Sequence, residues 1–179
     1  SLKARLCVQG RLMLYPFLEA RNVAFDRCGK LVVANGPEEV ARLEPILAQA
    51  RTNDVEEMAL LTKAQALALE PNLSCDAALI SPQSGVFDSH GYMLALQGEI
   101  EAAGGAVVVF TPFEGAEPLA GGGWKVRAGG AEPTTLTVRL LITAPGLSAQ
   151  AAAGEIEGYP QAEIPTGHYG KGRYFRLQG

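Results

Sequence analysis

The chain has 179 residues, 47% of them apolar and 19% charged, which is the makeup of a folded protein with enough material to bury a core. A formal net charge of −4 and the lack of any Lys/Arg run exclude the basic surface on which nucleic-acid binding depends. No apolar stretch has the length of a membrane span and no signal-peptide pattern opens the chain, so a cytoplasmic protein is expected.

The first segment reads as a helix, with Leu2, Leu6, Met13, Phe17 and Leu18 on one inward stripe and Pro16 kinking or ending it. Val23–Asp26 and Lys30–Ala34 read as two short strands around a hairpin-like turn at Cys28-Gly29. A helix is predicted from Pro37, with Val40, Leu43, Ile46 and Leu47 inward and Pro45 awkwardly placed inside it. Met58–Leu61 reads as a strand, and Thr62 with Gln65 forms a capping box for a short helix that stops before Pro71. Ala77–Ser81 is a further strand. From an N-cap at Asp88 or Ser89 a helix runs to Ala103, with Tyr92, Met93, Leu96 and Ile100 inward. Gly104 or Gly105 takes its left-handed terminal position.

The apolar run Val107–Phe110 is predicted to be a strand buried on both faces. Glycine clusters then punctuate three short strands, Phe113–Glu117, Trp124–Ala128 and Thr134–Arg139, a small antiparallel meander. The last of them is predicted to continue through Leu140–Thr143 and stop at Ala144-Pro145-Gly146. Arg173–Leu177 reads as a final strand.

Residues 85–113 carry most of the functional information. A turn, a capped helix, two glycines and a fully apolar strand make one step of an open α/β sheet. Nucleotide cofactors lie across the carboxyl ends of such strands. The Gly-rich phosphate loop that opens these sheets is missing from the sequence, so the chain reads as an internal portion of an enzyme. Cys7, Cys28 and Cys75 form no CxxC pair and read as reduced core thiols of a cytosolic protein. With only His90 and His168 available, neither a histidine zinc site nor a Ser-His-Asp triad is expected, and no metal is assigned.

Several quoted runs together resemble a known family. They are Ser84-Gly85-Val86-Phe87-Asp88, the helix-to-strand step Ala103–Phe110, the meander, and Leu141-Ile142-Thr143-Ala144-Pro145-Gly146. In this order they resemble the FAD-dependent oxidoreductases of the D-amino-acid-oxidase-like superfamily. Leu2-Lys3-Ala4-Arg5-Leu6-Cys7, Cys28–Val33, Glu70-Pro71 and Lys171-Gly172-Arg173-Tyr174 are most similar to its L-2-hydroxyglutarate oxidase and dehydrogenase branch. The resemblance spans nearly the whole chain. It implies an α+β fold: a mixed-sheet substrate domain plus a partial α/β FAD-domain segment with a small antiparallel meander. The expected division is a linking helix at 1–21, substrate domain at 22–84, partial FAD domain at 85–150, and a return to the substrate domain at 151–179.

The same resemblance implies the chemistry: removal of a hydride from the α-carbon of a 2-hydroxy or 2-amino acid to FAD. It implies that the backbone at Phe113 flanks the adenine, where the residue-level alternative is meander core. Ala144 and Gly146 stand in a turn that brings bare backbone to the cofactor, and Pro145 departs from the family pattern by removing an amide and fixing φ. Lys171 and Tyr174 are the substrate candidates, a cation for a dicarboxylate and a phenol to close over it; the alternative is a plain edge strand. Arg173 and Arg176 read as solubilising, and His168 and Tyr169 as exposed loop residues. No catalytic residue is assigned within the chain, because the base implied is a histidine N-terminal to Ser1.

His90, near the positive end of a helix, reads as a surface residue. Asp88 reads as a cap, and Glu38-Glu39 and Glu56-Glu57 as solvated charge. Without the phosphate loop, FAD is not expected to stay on this length of chain, which alone is expected to be inactive. The rival readings are a glycine or sarcosine oxidase, a glycerol-3-phosphate dehydrogenase relative, and a catalytically idle domain that binds a small molecule or a partner.

Overall fold

The computed structural model describes residues 1–174, which divide into two compact units, one of Ser1–Val107 and one from Val108 onward. The architecture is α+β, as the sequence predicts.

The first unit is built on a three-stranded antiparallel sheet of β2 (Lys30–Ala34), β3 (Ala59–Thr62) and β4 (Ala77–Ser81), in the order β2-β4-β3. Alternate residues of β4 point to opposite faces, so each face takes its own helix. Leu79 and Ala34 pack on one face against Leu43 and Leu47 of helix α2 (Gly36–Thr52). Ala78 on the other face packs with Cys75 and with Ala66 of helix α3 (Lys63–Leu69). The expectation of three core thiols is met only at Cys75, Cys7 and Cys28 being exposed. Leu79 is fully buried, and burial of such a side chain contributes about 1.5–3 kcal/mol. Helix α2 runs straight through Pro45. The missing amide leaves the Ala41 carbonyl without its helical donor, but both residues are exposed and water can serve it.

Three further expectations fail in this unit. Val23–Asp26 does not form a hairpin with Lys30–Ala34: the strand β1 is only Phe25–Asp26, and it pairs with β5 (Val86–Phe87). The Gly29 amide donates to Ser84 O, so the Cys28-Gly29 turn is tied to a distant segment and not to its own neighbours. Second, the inward stripe on helix α1 (Leu2–Ala20) is rotated. Tyr15 and Leu18 are buried, whereas Leu2, Leu6 and Met13 are exposed. Pro16 neither ends nor breaks this helix.

Third, helix α4 (Ser89–Ala102) buries no residue. Tyr92 and Ala95 are half-buried against the Tyr15–Leu18–Val23 cluster, and Met93, Leu96 and Ile100 face outward, as does Ile46 of α2. The apolar period marks each helix correctly, but it does not say how much of the stripe finds a partner within this chain.

The second unit is the meander β6 (Phe113–Pro118), β7 (Trp124–Ala128) and β8 (Thr134–Val138), antiparallel and in sequential order. A short helix, α5 (Ala149–Gly154), leads to Ile156, which makes a parallel bridge to buried Ala116. The predicted strand Val107–Phe110 is not one: it is exposed, ends in a bend at Phe110, and has no ladder partner among the described residues. Likewise β8 does not continue through Leu140–Thr143, where Leu140 and Ile142 are exposed. An all-apolar run reads as a strand buried on both faces, and that state exists only where strands flank it. Arg173 and Tyr174 are not in a strand, and the remainder of the predicted Arg173–Leu177 strand, with Arg176, lies outside the described residues.

Candidate functional site

The most constrained irregular backbone in the second unit is the entry to the meander. Phe110 has φ 56, a left-handed conformation that a bulky residue rarely adopts. The Thr111 hydroxyl donates to Val109 O at 3.0 Å, which fixes the bend from its inner side. The β7–β8 turn closes on the same segment. Gly129 donates its amide to Pro112 O at 2.9 Å, and Gly130 lies under the Phe110 carbonyl. A Cβ on Gly130 would stand 2.5 Å from that oxygen, and its φ of 106 already requires glycine. The Glu114 carboxylate lies against Gly129, in space that any side chain there would occupy.

Strand β6 then begins with a bulge. Phe113 faces Ala128 and Gly115 faces Arg127, leaving Glu114 as the extra residue. An Arg127 Nη2–H donates to the Glu114 carbonyl at 3.3 Å. Phe113 is half-buried at the start of this strand, its position set by the bulge on one side and the glycine turn on the other. Further along, Lys125 lies 2.8 Å from Glu117 and hydrogen-bonds it, holding that carboxyl below the ordinary glutamate range.

The other predicted positions lie in more open surroundings. Ala144 is exposed, and Gly146 opens a single 3-10 turn, Gly146–Ser148, at φ 58. A Cβ on Gly146 would meet nothing within 4 Å, so its backbone is open to close approach. The Tyr169 hydroxyl donates to Leu147 O at 3.5 Å, which brings the Gly-rich 167–170 loop to this turn. Lys171 and Tyr174 are exposed, Tyr174 almost completely at 98%, and among the described residues no hydrogen bond ties either of them to Phe113 or to the Ala144-Pro145-Gly146 turn. His90 sits in the first turn of α4, where the Asp88 carboxylate caps its backbone amide at 3.0 Å. Among the described residues, no group of three His, Cys, Asp or Glu side chains could hold a metal ion. Among the described residues, no helix is long and apolar enough to cross a membrane either.

The first unit has a concavity of about 320 Å³ beside Cys7, Arg11, Tyr15, Gln83 and Ser84. Its one cation is already engaged: Arg11 donates to Gln83 Oε1 at 3.2 Å and pairs with Glu56 at 3.5 Å, and Gln83 in turn donates to Glu57. Glu56 and Glu57, read from sequence as solvated charge, are exposed but serve this network. The network ties α1 to the 81–85 turn and leaves no free charge for a ligand.

The sequence reading placed Phe113 at the start of a meander strand, where it lies, and missed what surrounds it. The pairing of Gly129-Gly130 with Phe110 was visible only as turn punctuation, because a contact between segments twenty residues apart leaves no local pattern.

Comparison with known proteins bears on this arrangement. The profile of a family described as FAD dependent oxidoreductase matches residues 1–178. The mitochondrial L-2-hydroxyglutarate dehydrogenase of Arabidopsis thaliana is 29% identical over 216 aligned residues, covering 100% of this chain and 43% of that protein. Its counterpart in Caenorhabditis elegans is 34% identical, covering 86% of this chain and 36% of the relative. Among solved structures, L-proline dehydrogenase from P. horikoshii superposes with a TM-score of 0.73 at 17% identity, over 84% of this chain and 40% of the other. The chain therefore spans about two fifths of the length of the relatives it matches.

Proposed function

The chain belongs to the FAD dependent oxidoreductase family, and from that premise we propose that the protein built on it oxidises a 2-hydroxy acid, L-2-hydroxyglutarate being the substrate. The observation that carries the substrate assignment is the similarity to L-2-hydroxyglutarate dehydrogenase along the entire chain. FAD is the cofactor, and when bound it supplies the hydride acceptor.

The residues present fit the adenine side of that cofactor. In this reading the Phe113 backbone flanks the adenine edge; its support is a half-buried strand start fixed by a bulge and a glycine turn. Ala144 and Gly146 offer backbone to the cofactor, supported by the open approach to Gly146. Pro145 has no amide to donate, so contact there comes from its neighbours. Lys171 would pair with the second carboxylate of a dicarboxylic substrate, and Tyr174 would close over it; both side chains are exposed and uncommitted to other described residues. The chain's part is to hold and orient, which for a hydride transfer is where the protein contributes most. A cytoplasmic setting belongs to the same proposal.

The test is anaerobic reduction of the complete protein, followed by bleaching of the flavin band. L-2-hydroxyglutarate should reduce it faster than glycine, sarcosine or glycerol 3-phosphate. A protein that takes up no flavin on reconstitution would sink the proposal. Preferential reduction by one of the other three compounds would replace its substrate.

A further inference from the structure

Between the end of β2 and the start of α2 lies Asn35-Gly36, where backbone and side chain are treated in opposite ways. Asn35 occupies the N-cap position of α2, yet its side chain makes no capping hydrogen bond. Every backbone group around it is engaged. The Asn35 amide donates to Glu39 Oε2 at 2.8 Å, and the Gly36 amide donates to Asp76 Oδ2 at 2.9 Å. The Asp76 amide in turn donates to Ala34 O at 2.9 Å. Asp76 thus brackets Asn35 from both sides, while the Asn35 side chain is exposed and hydrogen-bonds to none of the described residues.

A free asparagine carboxamide followed by glycine carries its own nucleophile. The Gly36 nitrogen attacks Asn35 Cγ, a C–N bond forms, and the ring closes as a five-membered succinimide. The carboxamide nitrogen leaves as ammonia, taking up the proton that the Gly36 amide gives up. Water then adds to either imide carbonyl and opens the ring to aspartate or isoaspartate, with nothing oxidised or reduced. No side chain stands in the way at Gly36, where even an added Cβ would meet nothing within 4 Å. Its φ of 73 is the reason that glycine follows the asparagine at all.

We propose that Asn35 is a latent deamidation site and that Asp76 keeps it silent in the folded protein. Attack requires the Gly36 nitrogen to eclipse the Asn35 Cβ about the Cα–C bond, and at ψ 131 it is turned well away. Rotating it into place breaks its hydrogen bond to Asp76. That carboxylate is itself steadied by Lys63, 3.8 Å from Oδ1. Reaction therefore waits on local opening of the junction between β4 and α2. Its product puts a new carboxylate beside Glu39 and Asp76. Isoaspartate also lengthens the main chain by one carbon next to Ala34, which pairs with Ala77 at the end of the sheet.

Incubation of the complete protein in mildly alkaline buffer, followed by peptide mapping, reads conversion at Asn35 as a mass gain and an isoaspartyl peptide. In urea above the unfolding transition Asn35 should convert readily, and in the folded protein far more slowly. Asp76→Ala should raise the folded rate about fivefold, the loss of one hydrogen bond of ordinary net strength. Asp76→Asn, which keeps an acceptor oxygen, should stay near the wild-type rate. An unreactive Asn35 in urea overturns the site. Equal folded and unfolded rates in the wild type overturn the guard, as does an unchanged rate in folded Asp76→Ala or an Asp76→Asn rate as high as that of Asp76→Ala. Should Asp76→Ala not fold, hydrogen exchange at the Gly36 amide decides. It should be slow, unlike that of an unbonded first-turn amide, and fast exchange there overturns the inference.

Discussion

At Gly85 the backbone passes so close to its neighbours that a single methyl group has no room. A Cβ there would run into the Asp26 carbonyl, stand 2.6 Å from the Tyr15 hydroxyl and 3.2 Å from Arg27 Cα. Two of these three are backbone atoms and cannot swing aside. The Tyr15 hydroxyl is itself fixed, donating to Gln83 O at 3.0 Å, with the Arg27 guanidinium 4.0 Å from the ring centroid. Gly85→Ala should therefore destabilise the protein by about 1–3 kcal/mol, the usual cost of overpacking. Urea unfolding of the variant would show it, and an unchanged midpoint would mean that the β1–β5 junction yields easily. The sequence announced Gly85 as part of a turn but gave no hint of this crowding, since Tyr15 and Asp26 are far away in the chain. Phe113 was singled out only by resemblance; its local pattern marked no more than the start of a meander strand, which is where it lies. Lys171 and Tyr174 were likewise named only by resemblance, for nothing in their local pattern separates a ligand residue from an exposed one.

Elements defined by their own residues were read well, and elements defined by a partner were not. The capping box at Thr62 is the clearest success: its hydroxyl accepts from the Gln65 amide at 3.3 Å, and Gln65 Oε1 accepts from the Thr62 amide at 2.9 Å. Both residues lie within one turn, so sequence suffices. Removing the cap with Thr62→Ala should cost about 1 kcal/mol, read as a lower urea midpoint with an unchanged slope. A variant as stable as wild type would mean that α3 is held by Ala66 and Cys75 packing alone. Strand pairing behaved differently. Val23–Asp26 and Lys30–Ala34 were identified as strands, yet the observed strands Phe25–Asp26 and Lys30–Ala34 join different sheets, because turn residues at Cys28-Gly29 favour a reversal without dictating what pairs across it. The left-handed position at Gly104 (φ 80) was legible for the same reason as the capping box.

For the molecule as a whole, the apolar period outran the burial available within 179 residues. Val107–Phe110, Leu140, Ile142 and Leu147 all lie exposed, as do Leu2, Leu6, Met13, Met93 and Leu94. Exposed apolar area on this scale binds hydrophobic dyes and invites association. Residues 1–179 produced alone should enhance anilinonaphthalene sulfonate fluorescence and lose FAD on gel filtration, whereas the complete protein should do neither. A dye-silent chain of this length would show that these surfaces find cover among themselves. The sheet of the first unit has another consequence, one that concerns synthesis. Its central strand, β4, is made last, after both edge strands that depend on it. Neither β2 nor β3 has a ladder partner until Ala77–Ser81 has left the ribosome. Until then Leu31, Val32 and Val33 travel unpaired on the nascent chain, which makes this interval the one in which a chaperone has most to hold.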